Sequence, residues 1–276
     1  MGCGSSIPRD VTLREAALAG DVKTVVRLMT ADDIDVNHCD ENGHTTLWWA
    51  CRKGHDAVVQ ALLTNPNVDV NKSNKAGRTP LLIAIYNNHP KVVQLLLEFP
   101  SIDIHQSSTD ENLPGHIAAE NGHIEVLKLL LGAKRAAKGV NKGDQKERTM
   151  LWRAARNGHK EAVEALMAVE SIDINKVDKD GMTPLACAAI NGHVEVAHLL
   201  LADKSIDVNR QNKFGQAPLH LAAAEDREDV VQALLAMPSI ESNVVSQSGL
   251  TPLQVAVEHG HAKVVRQLAG APNVEV

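Results

Sequence analysis

The 276-residue sequence predicts an all-α solenoid of about eight 34-residue repeats with short β-turn or hairpin tips. Three observations carry this. A block recurs as "GHTTLWWACRKGH" from Gly43, "GRTPLLIAIYNNH" from Gly77, "GMTPLACAAINGH" from Gly181, "GQAPLHLAAAEDR" from Gly215 and "GLTPLQVAVEHGH" from Gly249. An alanine in that block falls at Ala50, Ala84, Ala118, Ala154, Ala188, Ala222 and Ala256, spaced by 34 residues with a single 36. A second apolar pattern at helical spacing follows each block. A fixed period of this length marks a stack of identical supersecondary units, none of which can bury its apolar face alone.

Each part of the unit has a physical reason. Thr79, Thr183 and Thr251 stand where a side chain caps a helix start, with Pro80, Pro184 and Pro252 at the first helical position. The alanine keeps the first helix flat, so the next repeat can approach closely; an earlier copy without the TPL element places it at Ala16. Four residues later Gly54, Gly122, Gly158, Gly192 and Gly260 end the helix in a left-handed turn. His55, His89, His123, His159, His193 and His261 follow. The second helix carries quartets such as Val58, Val59, Leu62 and Leu63, or Val92, Val93, Leu96 and Leu97, which form one buried stripe. A linker such as "PNVDVN", "SIDIN" or "SIDVN" then leads to a short polar tip such as "KSNKAG".

These motifs resemble ankyrin repeats. The family's T-P-L-H-x-A element is present as "APLHLA" at Ala217–Ala222, and its G-H turn and D-V-N segment recur from Val11 to the end. The resemblance implies residues 1–10 as a flexible tail and 11–276 as one ankyrin-repeat domain. It also implies partner contacts on the hairpin tips and on two positions late in each first helix, facing a concave surface. The G-H histidines and the histidines of the TPLH slot, His116 and His220, become structural hydrogen-bonding residues.

Composition narrows the function further. A net charge of −6 argues against a general nucleic-acid binder. Cys3, Cys39, Cys51 and Cys187 have no metal-ligand spacing and are expected to be reduced thiols in a cytosolic compartment. No apolar run is long enough to span a membrane, and the N-terminus lacks the apolar stretch of a secretory signal. The G-H histidines recur once per layer, about 9–10 Å apart, too far to share one metal. No catalytic triad, P-loop or paired carboxylates stand out. The chain is expected to be a non-enzymatic monomer without cofactor or metal.

The slots that vary between copies are the candidate binding residues: Arg52, Lys53, Lys75, Arg78, Tyr86, Asn87, Lys146, Arg148, Arg156 and Phe214. Arginine and aromatic side chains are the types most often energetic anchors. Trp48 and Trp152 occupy the TPLH histidine slot, and core filling and an exposed aromatic groove are both open for them. Between Lys134 and Lys160 nine bases face only Asp144 and Glu147. Such a belt suits an acidic partner or an anionic membrane surface, or is a solvated face balanced by nearby acids. The two-residue insertion in "GAKRAAKGV" (132–140) reads as a longer helix end or as a hinge or partner-specific bulge. Asp226-Arg227 replaces the G-H turn as a neutral variant.

"MGCGSS" fits the Met-Gly-x-x-x-Ser acylation pattern, with Gly2 as myristate acceptor and Cys3 beside it for palmitate. One acyl chain binds a membrane only marginally, so both would be needed. An inert tail is the alternative. The expected function is a protein–protein interaction scaffold or adaptor, cytoplasmic and tethered to the cytoplasmic face of a membrane. An untethered inhibitory module and a binding fragment of a larger protein remain alternatives.

Overall fold

A computed structural model describes residues 9–31, 34–109, 112–133, 139–272 and 274. Among the described residues there are sixteen α-helices and no strand, and an isolated antiparallel bridge pairs Cys39 with Thr45. The chain divides into two compact units, Met1–Ala118 with Glu125–Ala136, and Ala119–Ile124 with Ala137–Val276.

In the first unit the inner row is α1 (Arg9–Ala19), α3 (Thr46–Lys53) and α5 (Pro80–Tyr86). The outer row is α2 (Val22–Met29), α4 (Asp56–Leu63) and α6 (Pro90–Leu97). Inner helices pack on inner, outer on outer, and each pair on itself. The second unit repeats this. Its inner row is α9 (Met150–Arg156), α11 (Pro184–Asn191), α13 (Pro218–Ala224) and α15 (Pro252–Glu258). Its outer row is α10 (Lys160–Met167), α12 (Val194–Leu201), α14 (Glu228–Leu235) and α16 (Ala262–Ala269). The residues of α7 (Pro114–Glu120) and α8 (Ile124–Gly132) are shared between the two units. The fold is the all-α repeat architecture expected from the period.

The local signals act as their chemistry requires. The hydroxyls of Thr79, Thr183 and Thr251 accept from the N–H groups of Leu82, Ala186 and Gln254 at 3.0–3.3 Å. Thr45 and Thr149 cap in the same way. The repeated alanines from Ala50 to Ala256 are wholly buried. Gly54, Gly122, Gly158, Gly192 and Gly260 all have positive φ, and Asn88 and Asp226 take the same conformation where glycine is absent. The outer stripe is narrower than the apolar quartets suggest. Val58, Val59 and Leu62 are buried, but Leu63 is only half-buried, and Leu97 and Leu235 behave likewise. At 100° per residue the fourth position lies at the stripe's edge.

Two of the hydrogen-bond systems that join the repeats use side chains outside the tips. The ring Nε2 of His55, His89, His159, His193 and His261 donates to the carbonyls of Leu18, Arg52, Glu120, Arg156 and Ala224 in the preceding inner helix, at 2.9–3.1 Å. Arg227 takes over this duty, its Nε donating to the Ile190 carbonyl at 3.1 Å. The Asp226-Arg227 variant therefore preserves the link. The second system uses the D-V-N asparagines. The amides of Asn37, Asn71, Asn141, Asn175 and Asn209 donate to the carbonyls of Asn67, Ser101, Ser171, Ser205 and Ser239. Their side-chain oxygens accept from Asp69, Asp103, Asp173, Asp207 and Glu241. His105 stands in the asparagine slot of the third copy.

Candidate functional site

The tips are built by an Asx turn. The Asn74 side chain accepts from the N–H groups of Ala76 and Arg78, and Asp40, Asp144, Asp178 and Asn212 do the same in their own repeats. Successive tips are laced by backbone bonds such as Lys75 N–H to the Asn42 carbonyl and Lys213 N–H to the Asp180 carbonyl. The tip side chains thus project from a fixed backbone.

Of the expected binding residues, Arg52, Lys53, Lys75, Arg78, Tyr86, Asn87, Lys146, Arg156 and Phe214 are exposed and Arg148 is half-buried. Tyr86 and Phe214 are 57% and 60% exposed, high for aromatic side chains. Arg78 lies over the Tyr86 ring, its guanidinium carbon 5.7 Å from the centroid. Asn87 differs from the rest: its amide donates to the Ile83 carbonyl at 2.8 Å and closes its own helix.

Trp48 and Trp152 are core residues, 3% and 5% exposed. Each nevertheless carries charge at its rim. In the second repeat His44 rests on Trp48, with ring centroids 3.9 Å apart. Arg52 stands 5.7 Å from the Trp48 centroid and 5.0 Å from that of Trp49. Asp40 accepts from the His44 ring and from the Trp49 indole N–H, each at 3.1 Å. Burial works to raise the Asp40 carboxyl, but hydrogen bonds from the His44 N–H, the Trp49 indole and the His44 ring outweigh it and hold the group at about 2.

The fifth repeat holds a second such cluster. Arg148 and Arg156 lie 5.7 and 5.4 Å from the Trp152 ring centroid. Arg148 donates to Asp144 at 2.8 Å. Arg153, only 4% exposed, is held between Asp144 and Glu120. Burial works to raise Asp144 too, but the Arg148 and Arg153 side chains and the loop N–H groups hold it well below the usual carboxylate range. The basic segment is therefore partly balanced, by an acid within it and by acids of neighbouring elements. Arg148 and Arg153 share Asp144, Arg153 also pairs with Glu120, and Lys160 pairs with Glu195 at 3.3 Å. Lys134, Arg135 and Lys138 lie outside the described residues, as do most of the 132–140 insertion and both Gly2 and Cys3. The thiols of Cys51 and Cys187 are pushed up by burial, which makes them poor nucleophiles.

Of the two TPLH histidines, His220 shows its structural role. His220 Nδ1 accepts from the Ala217 N–H at 3.2 Å, and Nε2 donates to the Leu250 carbonyl at 3.0 Å. Trp48 makes the equivalent bond to the Arg78 carbonyl. Burial lowers the His220 pKa and keeps the ring neutral.

Stacked helix pairs with laced tips and variable exposed side chains define a helical-repeat binding scaffold. The family model for ankyrin repeats, in three-repeat blocks, matches residues 13–108, 115–212 and 204–276. The chain belongs to the ankyrin repeat family, whose domains generally mediate protein–protein interaction. The crystal structure of the human ASB11 ankyrin repeat domain is similar to it, with a TM-score of 0.68 and 30% identity over 83% of this chain and 97% of that one. Ankyrin repeat domain-containing protein 40 from Mus musculus and Homo sapiens is 48% identical over 48 residues. That match spans 17% of this chain and 13% of the length of those relatives.

Proposed function

We propose that this chain is a recognition scaffold that binds a protein partner through its tips and the ends of its inner helices, without chemistry of its own. The carrying observation is a contrast between repeats. Framework slots are filled with the same buried residues, while exposed slots change from copy to copy and hold Arg78, Tyr86, Arg156 and Phe214. Aromatic and arginine side chains are the types most often energetic anchors, and a fixed backbone spares the cost of ordering a loop on binding. Comparing proteins captured by wild type, Arg78→Glu/Arg156→Glu and the outer-helix control Gln60→Glu/Gln232→Glu tests the face. The first double variant should lose specific partners and the second keep them. Retention of every captured protein by Arg78→Glu/Arg156→Glu would place binding elsewhere.

The N-terminal hexamer supports a tether at the cytoplasmic face of a membrane, through myristate on Gly2 and palmitate on Cys3. Metabolic labelling with fatty-acid analogues should mark wild type and spare Gly2→Ala. Equal labelling of both rejects the tether.

A further inference from the structure

We infer that the chain carries two matched carboxylate-anchoring sites for an acidic peptide segment, centred on Arg52 in one unit and on Arg156 in the other. This rests on the reading of the chain as a protein-recognition scaffold and gives that reading its ligand chemistry.

The second and fifth repeats fill five slots with the same design. In chain order these are a tip aspartate (Asp40, Asp144), a base (His44, Arg148), a tryptophan (Trp48, Trp152), a donor (Trp49, Arg153) and an arginine (Arg52, Arg156). Other repeats do not reproduce the set. The third has Asn74, Arg78, Leu82, Ile83 and Tyr86, and the sixth has Asp178, Met182, Ala186, Cys187 and Ile190. The contacts match as well as the residue types. Both aspartates accept from the base and from the donor, and both tryptophans lie under the base and the final arginine.

The pairing leaves one member of each set unused. The acid is engaged by its base and donor, whereas neither Arg52 nor Arg156 pairs with a carboxylate among the described residues, and both are exposed. Each is also pre-positioned. Its guanidinium lies over a tryptophan ring, and its carbonyl is fixed by His89 or His193 of the next repeat. A guanidinium with no carboxylate on it keeps its planar fork of N–H donors, which fits a carboxylate bidentately. A nearby ionised aspartate disfavours a doubly charged phosphate more than a singly charged carboxylate. Glutamate or aspartate side chains of an extended segment are the fitting ligand.

The chain has three tryptophans, Trp48, Trp49 and Trp152, and all of them belong to these clusters. Three indole N–H resonances in a proton–nitrogen correlation spectrum therefore report both sites, assigned by Trp→Phe substitution. The probe is a capped octapeptide alternating glutamate and glycine, with matched peptides carrying glutamine or phosphoserine, and phosphatidylserine vesicles as further arms. All three resonances should shift with the glutamate peptide and not with the glutamine peptide. Arg52→Gln should abolish the shifts of Trp48 and Trp49 while sparing Trp152, and Arg156→Gln should do the reverse. Arg52→Lys, which keeps charge but not the planar fork, should weaken its site roughly tenfold. A response at only one cluster, shifts that survive the arginine substitutions, or binding of phosphoserine peptide or vesicles in preference to glutamate would overturn the inference. If the face itself were wrong, partner capture would also survive Arg78→Glu/Arg156→Glu. If only the carboxylate sites were wrong, capture would still be lost in that variant while the indole resonances stayed still.

Discussion

His193 leaves Gly158 no room for a side chain: a Cβ built on Gly158 would stand 2.5 Å from His193 Nδ1. The ring cannot retreat, because its Nε2 is bonded to the Arg156 carbonyl. The Gly-His pair is thus one device split between two repeats. The glycine of one repeat makes the space that the histidine of the next repeat fills.

Gly158→Ala should cost about 3 kcal/mol, combining the left-handed backbone with the clash. Gly260 has a φ of 75° with nothing near its Cβ position, so Gly260→Ala should cost only about 1–2 kcal/mol. Urea unfolding of both, with His193→Ala and Gly158→Ala/His193→Ala, completes the cycle. The cost of Gly158→Ala should shrink when His193 is gone. An unchanged cost would mean that the pair is not coupled.

The asparagine ladder should be worth as much as the histidines. Asn175 donates to the Ser205 carbonyl at 2.7 Å and accepts from the Asp207 N–H at 2.9 Å. Asn175→Ala removes both bonds and should lower stability by about 1–3 kcal/mol. Hydrogen exchange at the Asp207 amide should speed up before the rest of the second unit does.

Arg153 sits between two carboxylates inside an otherwise apolar slot. Arg153→Ala leaves Asp144 buried with one partner fewer and should cost about 3–5 kcal/mol. Arg153→Trp copies the second repeat, where the Trp49 indole holds Asp40. It should cost clearly less than Arg153→Ala in the same denaturation assay.

Acid should weaken the fold in two steps. A buried neutral histidine with a lowered pKa stabilises above the unfolded value of 6.5, and that contribution fades as pH falls below it. Asp40, held at about 2 against an ordinary 3.8, stabilises above 3.8 and loses its contribution between about pH 4 and 2. Thermal unfolding across pH should show both losses. His220→Gln should remove the first step, and Asp40→Asn should shrink the second, what remains coming from Asp144, whose carboxyl is also held well below the usual range.

Much of this was legible in the sequence because each framework slot obeys one local rule. Thr79 and Pro80 announce a helix start, Gly54 an end, and Ala84 a close approach. What the recurring residues bond to was not legible, since His193 and Asn175 act across repeats that are distant in sequence. Trp48 and Trp152 could be assigned neither to core nor to groove, because size alone does not say which side of a helix is covered. The sequence places Arg153 only among the nine bases of the basic segment. Its slot, held by Ile83, Cys187 and Leu221 in other copies, was the signal that it is buried. The matched clusters could have been found by laying the second repeat over the fifth.

The central claim is that recognition uses the tips and inner helix ends rather than the outer helices. Site-specific photo-crosslinking tests it most directly, with a photoreactive residue placed singly at Arg78, Tyr86 or Phe214, and at Gln60 or Gln232 on the outer helices. The first three positions should crosslink one shared set of proteins and the outer two should not. Equal capture of that set from Gln60 and Gln232 would contradict the account.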